Sequence, residues 1–172
     1  MYRYQGGEKL NPLDENGNAL MRYATAGGNL EIIKFLCQHS QDKNPKNKFG
    51  TTVLHLAAID GSYEILKYIG DLVEEKNPSN NDSETVLHYA AINGDVRSIE
   101  YIVKHTTKQN AQTILKETPL HIGAKFGNLE AVKYLVEQAK CDTTIKNGNG
   151  KTPLDLATEH GKHEVVKYLK KF

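Results

Sequence analysis

The sequence predicts an all-α repeat solenoid, in which short pairs of helices stack side by side. The first observation behind this prediction is a motif that recurs along the 172-residue chain. The motif opens on a small residue before an apolar stretch, at Ala19, Thr52, Thr85, Thr118 and Thr152. Successive copies lie 33, 33, 33 and 34 residues apart. A fixed period of this length along a whole chain is typical of stacked repeats.

Two further landmarks keep the same period. An asparagine precedes each of four motifs, at Asn11, Asn44, Asn77 and Asn110. A glycine follows each apolar stretch, at Gly28, Gly61, Gly94, Gly127 and Gly161. Because glycine tolerates a positive φ angle, we expect these glycines to reverse the chain between two helices. We expect the asparagines to stabilise turns through side-chain hydrogen bonds.

Local chemistry explains why each copy forms a pair of helices. The threonine hydroxyl caps the first helix, and Pro119 suits the first turn because its missing N–H needs no partner there. The stretch after the glycine places apolar residues at helical spacing, as with Leu129, Val132 and Leu135. One pair cannot cover its own apolar face, so neighbouring pairs must stack to bury it.

Composition excludes several classes of protein. The 22 lysines and arginines nearly balance the 21 aspartates and glutamates, so no strongly basic field attracts nucleic acid or an anionic membrane. The N-terminus lacks the apolar core of a signal peptide. Cys37 and Cys141 are the only cysteines, which indicates a reducing compartment. We therefore expect a cytoplasmic protein, or one in a host cytosol if the chain is an effector.

The motif resembles the ankyrin-repeat family. Residues 118–124 read Thr-Pro-Leu-His-Ile-Gly-Ala, close to the Thr-Pro-Leu-His-x-Ala pattern of that family. The resemblance covers nearly the whole chain and implies one domain over residues 1–172, with β-hairpin loops, or fingers, that project from the helix pairs. It implies a partial repeat or cap at 1–13, followed by repeats at 14–46, 47–79, 80–112, 113–146 and 147–172.

The sequence departs from the family pattern where the second helices end. The glycine that is usual there is replaced at Ser40, Val73 and Thr106. Polar residues also stand where the family has an apolar finger residue, at Lys43, Lys76 and Gln109. We therefore expect looser fingers or longer second helices. Asp155 replaces histidine in the last copy, a change that is common in terminal repeats of the family.

Three histidines, His55, His88 and His121, recur with the period and suggest zinc at first sight. Stacking places them on successive repeats, each near its own threonine. The resemblance implies instead that each histidine hydrogen-bonds locally and to the backbone of the neighbouring repeat, and we favour this interpretation. The remaining histidines are expected at the surface, at His39, His105, His160 and His163. We expect neither a metal nor a cofactor.

No catalytic set is recognisable in the sequence. Cys37 falls on the apolar face of a helix, and Cys141, in a loop, is expected to be an ordinary thiol. Residues 148–152 are similar to part of a phosphate-binding loop, but Ile145 stands where its first glycine should be. No serine or cysteine lies in a nucleophile motif, so we expect that the protein is not an enzyme.

The resemblance implies partner binding through the finger tips and the exposed side of the first helices. The candidate finger residues are Lys48, Phe49, Thr51, Asn81, Asp82, Glu84, Ile114, Leu115 and Glu117. The candidates at the ends of the first helices are Ile59, Asp60, Ile92, Asn93, Lys125 and Phe126. Among them, Phe49, Ile59, Ile92 and Phe126 are expected to form an apolar strip on the concave face, as at the centre of a protein interface. The alternative is that these four side chains pack beneath the fingers.

The predicted function is that of a protein–protein interaction module, alone or within a longer scaffold or effector protein. We expect a monomer whose partner is a protein, and neither nucleic acid nor a membrane. The alternative function is that of a non-catalytic fragment of a larger enzyme. Nucleic-acid binding and assembly of a homo-oligomer are further alternatives. The resemblance also makes the periodic asparagines targets for hydroxylation, but turn stabilisation explains them more simply.

Overall fold

The chain folds into a stack of helix–turn–helix pairs. A computed structural model describes Glu15, Gly17 and residues 19–172, so Asn11 and the expected cap at 1–13 lie outside the described residues. The first helices of the pairs are α1 (Leu20–Ala26), α3 (Val53–Ile59), α5 (Val86–Asn93), α7 (Pro119–Phe126) and α9 (Pro153–Glu159). The second helices are α2 (Leu30–His39), α4 (Tyr63–Leu72), α6 (Val96–Val103), α8 (Leu129–Glu137) and α10 (His163–Leu169).

The pairs form two layers of helices. Each first helix contacts the next first helix, and each second helix contacts the next second helix. The prediction of an all-α repeat solenoid is therefore confirmed. Each expected repeat from 14–46 onwards contains one helix pair, while the division into those repeats stays a prediction.

The turn inside each pair depends on a left-handed residue. Gly94 ends α5 with a φ of 87°, and Gly127 ends α7 with a φ of 83°. Residues other than glycine rarely adopt this conformation. At Gly94 a side chain would also meet the side chain of Asn128, because a Cβ there would lie 2.8 Å from its Cγ. Glycine is therefore required on two grounds at this turn.

The core runs between the helix pairs as one continuous layer. Leu54, Leu87 and Leu120 of the first helices are fully buried. Ala57 and Ala90 are also fully buried, and their small side chains let neighbouring first helices approach closely. Each pair is therefore stabilised mainly by its contacts with adjacent pairs.

The second helices that lack the usual glycine at their ends differ in length. Helices α2 and α4 each have ten residues, whereas α6 has eight. The missing glycine alone therefore does not determine their length. The Lys43 ammonium donates to the carbonyl oxygens of Cys37 and Ser40, and Lys76 Nζ donates to the carbonyl oxygen of Val73 at 2.8 Å. These lysines thus satisfy carbonyl groups that a helix end leaves without partners.

The first pair differs from the pairs behind it in what it exposes. The side chains of Leu20 and Ile32 are 42% and 47% exposed. Their counterparts one repeat later, Val53 and Ile65, are 0% and 2% exposed. The difference arises because the later residues are covered by the preceding helix pair.

Candidate functional site

The fingers are tight loops, each built on one polar side chain at the loop's first residue. In the finger at 47–51, Asn47 Oδ1 accepts from the backbone N–H groups of Phe49 and Thr51, at 3.0 and 2.9 Å. Three further fingers use the same arrangement at 80–84, 113–117 and 147–151, with Asn80, Thr113 and Asn147 as acceptors. Isolated antiparallel bridges join Lys46 to Thr52 and Ser79 to Thr85, so these two hairpins close on a single bridge each.

Backbone hydrogen bonds join each finger to the next. The N–H of Asn81 donates to the carbonyl oxygen of Phe49 at 3.0 Å. The N–H of Ile114 donates to the carbonyl oxygen of Asp82 at 3.0 Å, and the N–H of Gly148 donates to the carbonyl oxygen of Leu115 at 2.8 Å. The backbones of the four finger tips are therefore held in a row.

Each finger also contains one residue in the left-handed conformation. Gly50 and Gly150 have φ angles of 73°, while Ser83 and Lys116 occupy the equivalent position with φ angles of 60° and 58°. A Cβ on Gly50 would lie 2.6 Å from Oδ1 of Asn81. This position in the finger therefore favours glycine, although Ser83 and Lys116 adopt the same left-handed conformation in two of the fingers.

The periodic histidines link the first helices to these fingers. His55 Nδ1 accepts from the backbone N–H of Thr52 at 3.1 Å and lies 2.9 Å from its hydroxyl oxygen. The Nε2 of the same ring donates to the carbonyl oxygen of Glu84 in the next finger, at 3.2 Å. His88 and His121 repeat this geometry. The predicted hydrogen bonds to the local threonine and to the neighbouring repeat are confirmed.

These bonds require a neutral imidazole with its proton on Nε2, because Nδ1 must accept. Burial lowers the pKa of His55 and of His88 to about 4, and it also lowers the pKa of His121. Both ring nitrogens are engaged within the protein, which leaves no lone pair for zinc. The recurring histidines are structural groups.

Asp155 takes the histidine's place in the last pair. Its Oδ2 accepts from the backbone N–H and the hydroxyl of Thr152, both at 2.8 Å. These two bonds lower the pKa of the Asp155 carboxyl, because they stabilise its charged form. The aspartate therefore caps the helix as the histidines do. Unlike them, it has no N–H with which to donate a hydrogen bond to another segment.

Most of the residues predicted to bind a partner lie at the surface. Two exceptions are Thr51 and Glu117, which are each only 8% exposed. The expectation that these two residues are exposed is wrong. The carbonyl oxygen of Thr51 accepts from Arg22 Nη1 at 3.2 Å. Glu117 Oε1 accepts from Asn147 Nδ2 at 3.4 Å. Both residues stand at the base of a finger, where the loop returns to the helix and packs against its neighbour.

The expected apolar strip is only partly present. Phe49 is 61% exposed and Phe126 is 48% exposed. Ile59 and Ile92 are both half-buried, and Ile92 also packs against the hydrophobic core. The two isoleucines therefore offer less open apolar surface than the two phenylalanines, and the strip as a binding surface stays a prediction.

The most exposed apolar side chains on this side of the molecule belong to the finger at 113–117. Ile114 and Leu115 are both 64% exposed. Together with Phe49 and Phe126 they form the apolar part of what we call the finger face: the tips of the fingers and the adjoining ends of the first helices. The polar part includes Lys48, Asp60, Asn81, Asp82, Glu84, Asn93 and Lys125.

Two neighbouring clefts open on the finger face. The larger, of about 430 Å³, has an apolar side formed by Phe49, Leu56 and Ile59. The smaller, of about 260 Å³, is bounded by Ile114 and Leu115. Asp82 and Glu84 line both clefts, so the finger at 80–84 forms the ridge between them.

Five residues of the larger cleft were not among the predicted binding residues, namely Arg22, Asn47, Leu56, Asn80 and Tyr89. The sequence does contain a signal for two of them. Leu56 and Tyr89 hold the same motif position, two residues before the second alanine of Ala57-Ala58 and of Ala90-Ala91. Both are half-buried, as expected for the helix surface beneath a finger.

The same period and motif are found in a comparison with known families. A family model described as ankyrin repeats (3 copies) matches the chain at residues 3–74, 41–113, 69–147 and 87–171. The chain belongs to the ankyrin-repeat family. A comparison with curated proteins finds no match. The overlapping matches extend the ankyrin assignment over almost every residue of the chain.

The asparagines of this ankyrin stack satisfy the first turns of the helices that follow them. Asn44 Oδ1 accepts from the backbone N–H of Leu54 at 3.0 Å. Asn77 Oδ1 accepts from that of Leu87 at 2.9 Å. Their predicted role in turn stabilisation is confirmed. Asn110 differs, because its Oδ1 accepts from the N–H of Asp142 in the next repeat, at 3.1 Å.

Both cysteines of the ankyrin stack are buried and free. Burial raises the pKa of the Cys37 thiol, and it raises that of Cys141 to about 12. A thiol with so high a pKa is a poor nucleophile, because it carries almost no thiolate at neutral pH. Cys141 is thus the ordinary thiol that was expected, although it is buried and not at a loop surface.

Within residues 19–172 and the two described positions before them, no three His, Cys, Asp or Glu side chains are grouped to hold a metal ion. None of the described helices is long and apolar enough to cross a lipid bilayer.

Proposed function

We propose that this ankyrin domain binds a partner protein through its finger face, on the concave side of the stack. The observation that carries the proposal is the row of fingers joined by backbone hydrogen bonds, at 3.0, 3.0 and 2.8 Å. Apolar side chains that are about half exposed or more stand on this row and beside it. A rigid backbone that presents apolar side chains loses little conformational entropy when a partner binds.

The composition of the finger face supports a protein partner. Protein interfaces combine an apolar centre with a polar rim, and aromatic residues supply much of their binding energy. Phe49, Ile114, Leu115 and Phe126 provide apolar contact area, and the polar residues of the face surround them. Asp60, Asp82 and Glu84 would repel the phosphates of a nucleic acid.

The finer parts of the proposal concern context. We infer that the module acts without a reaction of its own, as one ankyrin chain or as part of a longer scaffold or effector protein. Two buried free cysteines suit a reducing compartment, so we infer a cytoplasmic site of action. We also infer that the domain works as a monomer.

The proposal is tested by replacing apolar groups of the finger face. In the Phe49→Ser and Phe126→Ser double variant, capture of specific proteins from a cell lysate is expected to fall roughly tenfold or more, because two aromatic anchors are lost. Captured proteins are identified and quantified by mass spectrometry.

The matched control is the Leu72→Ser and Phe172→Ser double variant. These side chains are 47% and 64% exposed but belong to the end of α4 and the end of the chain. The control should capture the same proteins as the unmodified chain. If the finger-face variant also retains them, the partner does not bind at the finger face.

A further inference from the structure

We propose that the partner segment carries a lysine or arginine with apolar residues on either side, and that this cation binds at the ridge formed by the finger at 80–84. This inference rests on the proposed function, because it specifies the chemistry of the partner for the same face. It follows from the charges on the ridge, from the absence of cations paired with them among the described residues, and from the apolar clefts on both sides.

The ridge is acidic. Asp82 is exposed near its tip, and Glu84 lies half-buried at its base. Glu117, at the base of the next finger, lines the smaller cleft together with Asp82 and Glu84. The smaller cleft is therefore lined by three acidic residues.

These carboxylates have only neutral hydrogen-bond partners among the described residues. Glu84 Oε2 accepts from Asn80 Nδ2 at 2.8 Å and from the hydroxyl of Tyr89 at 3.0 Å. Glu117 accepts from the Asn147 amide at 3.4 Å. No lysine, arginine or histidine of the described chain lies within ion-pair distance of any of the three.

Some acidic side chains elsewhere in the described chain do pair with cations. Glu31 pairs with Lys34, Glu130 with Lys133, and Glu159 with Lys151 at 2.6 Å. Arg22 also lines the larger cleft, and its guanidinium donates to the carbonyl oxygen of Thr51. The ridge carboxylates therefore have no ion-pair partner among the described residues and are open to pairing with an external cation.

The charge of the ridge also affects the adjacent side chain of Tyr89. Burial raises the pKa of the Tyr89 hydroxyl, and the charge of Glu84 raises it further. Because Glu84 is half-buried, its attraction for a cation is screened less than that of a fully exposed carboxylate. A cationic side chain placed here would gain both a charge pair and electrostatic steering during approach.

The apolar clefts determine what must flank the cation. On one side lie Phe49, Leu56 and Ile59, and on the other lie Ile114 and Leu115. A segment that crosses the ridge would therefore place apolar side chains before and after its cation. Such a segment matches the face in both charge and polarity, which a neutral or acidic segment does not.

The inference is tested with a displayed library of random linear peptides, selected on the immobilised full chain. Enriched peptides are synthesised, and their binding is measured by fluorescence anisotropy. The test variant is Asp82→Asn with Glu84→Gln, which removes two charges while keeping the size of both side chains. The control is Glu75→Gln with Glu164→Gln, two exposed carboxylates that lie away from the finger face.

We expect the enriched peptides to carry Lys or Arg beside Leu, Ile or Phe. Their dissociation constants should rise roughly tenfold in the test variant, stay unchanged in the control, and rise with salt, since a charge pair is lost or screened. Thermal melts of both variants establish that they remain folded.

Three outcomes would overturn the inference. Enriched peptides could be neutral or acidic, they could bind the test variant with unchanged affinity, or no peptide could be enriched. If a peptide binds the test variant as tightly as the unmodified chain but no longer binds the Phe49→Ser and Phe126→Ser variant, the basic partner is overturned and the proposed function stands. If a peptide binds both variants with unchanged affinity, the finger face is not the binding site.

Discussion

The middle of the stack and its last pair use different residues at the same position, as His88 in α5 and Asp155 in α9 show. Both side chains accept a hydrogen bond from the N–H of the preceding threonine, at 3.0 Å for His88 and 2.8 Å for Asp155. His88 is buried, and its Nε2 donates to the backbone carbonyl oxygen of Glu117 in the next finger at 3.0 Å. Asp155 is exposed and makes the cap alone.

The difference shows that this position has two separable roles. The cap requires only an acceptor, which a carboxylate supplies as well as an imidazole does. The link to the next finger requires a donor on the far side of the same side chain, and only the histidine has one. Burial by the next repeat also favours a group that is neutral, because a buried carboxylate without a cation is costly.

The largest expected effect comes from removing the residue that has both roles. His88→Ala should lower the free energy of unfolding by about 4 kcal/mol, because it leaves a cavity and unpaired buried groups at Thr85 and Glu117. Asp155→Ala should lower it by about 1 kcal/mol, the usual effect of losing an exposed cap. Urea denaturation monitored by circular dichroism measures both values. Equal losses in the two variants would contradict the assignment of a second role to His88.

Acidification should affect the middle of the stack before it affects the last pair. An unfolded histidine has a pKa of about 6.5, whereas the folded value is about 4 for His55 and His88. Between these values the unfolded chain binds more protons than the native chain, so stability falls as the pH falls. The expected loss at pH 5 relative to pH 7 is about 1–2 kcal/mol for each of these two histidines.

The pH dependence is measured by urea denaturation at several pH values between 7 and 4. The comparison is with Asp155→Asn, which should leave the slope in this range unchanged. The pKa of Asp155 is lowered, so its contribution is present above the usual aspartate value and is lost only in stronger acid. A flat profile between pH 6.5 and 4 would contradict the neutral, buried state of the two histidines.

The smallest expected effect concerns the finger before α7 and the finger before α9. Lys116 holds a φ of 58° where the last finger has Gly150 at 73°. Lys116→Gly should raise the free energy of unfolding by about 0.5–1 kcal/mol, because it relieves a left-handed residue that has a side chain. Gly150→Ala should lower it, although a Cβ there would meet nothing within 4 Å. Thermal melts test both signs, and a stabilising Gly150→Ala would refute the role given to the φ angle.

The period of the sequence was sufficient to predict the solenoid and the reversing glycines, and the resemblance to the ankyrin family predicted the histidine links. These features depend on local spacing and on contacts with the adjacent repeat. The same resemblance placed Phe49, Ile114 and Leu115 on finger tips and Phe126 at the end of a first helix, and all four are exposed.

The sequence could not predict which residues the neighbouring finger covers. Thr51 and Glu117 stand beside exposed residues in the chain but are buried at finger bases, and Ile92 packs against the core although its motif position matches Ile59. Nor did composition indicate that Ser83 would adopt a left-handed φ of 60°. Such features depend on contacts between repeats, which a one-dimensional pattern does not contain.

The shared hydrogen bond of each histidine has a consequence for how the protein unfolds. One imidazole ring closes the helix start of its own repeat and holds a carbonyl of the following one, so neither repeat can open without releasing a group that the other needs. In a linear array, such a link adds to the coupling between neighbours and not only to the stability of each unit. The three rings therefore favour cooperativity: repeats that are individually too small to fold are made to gain and lose their structure together.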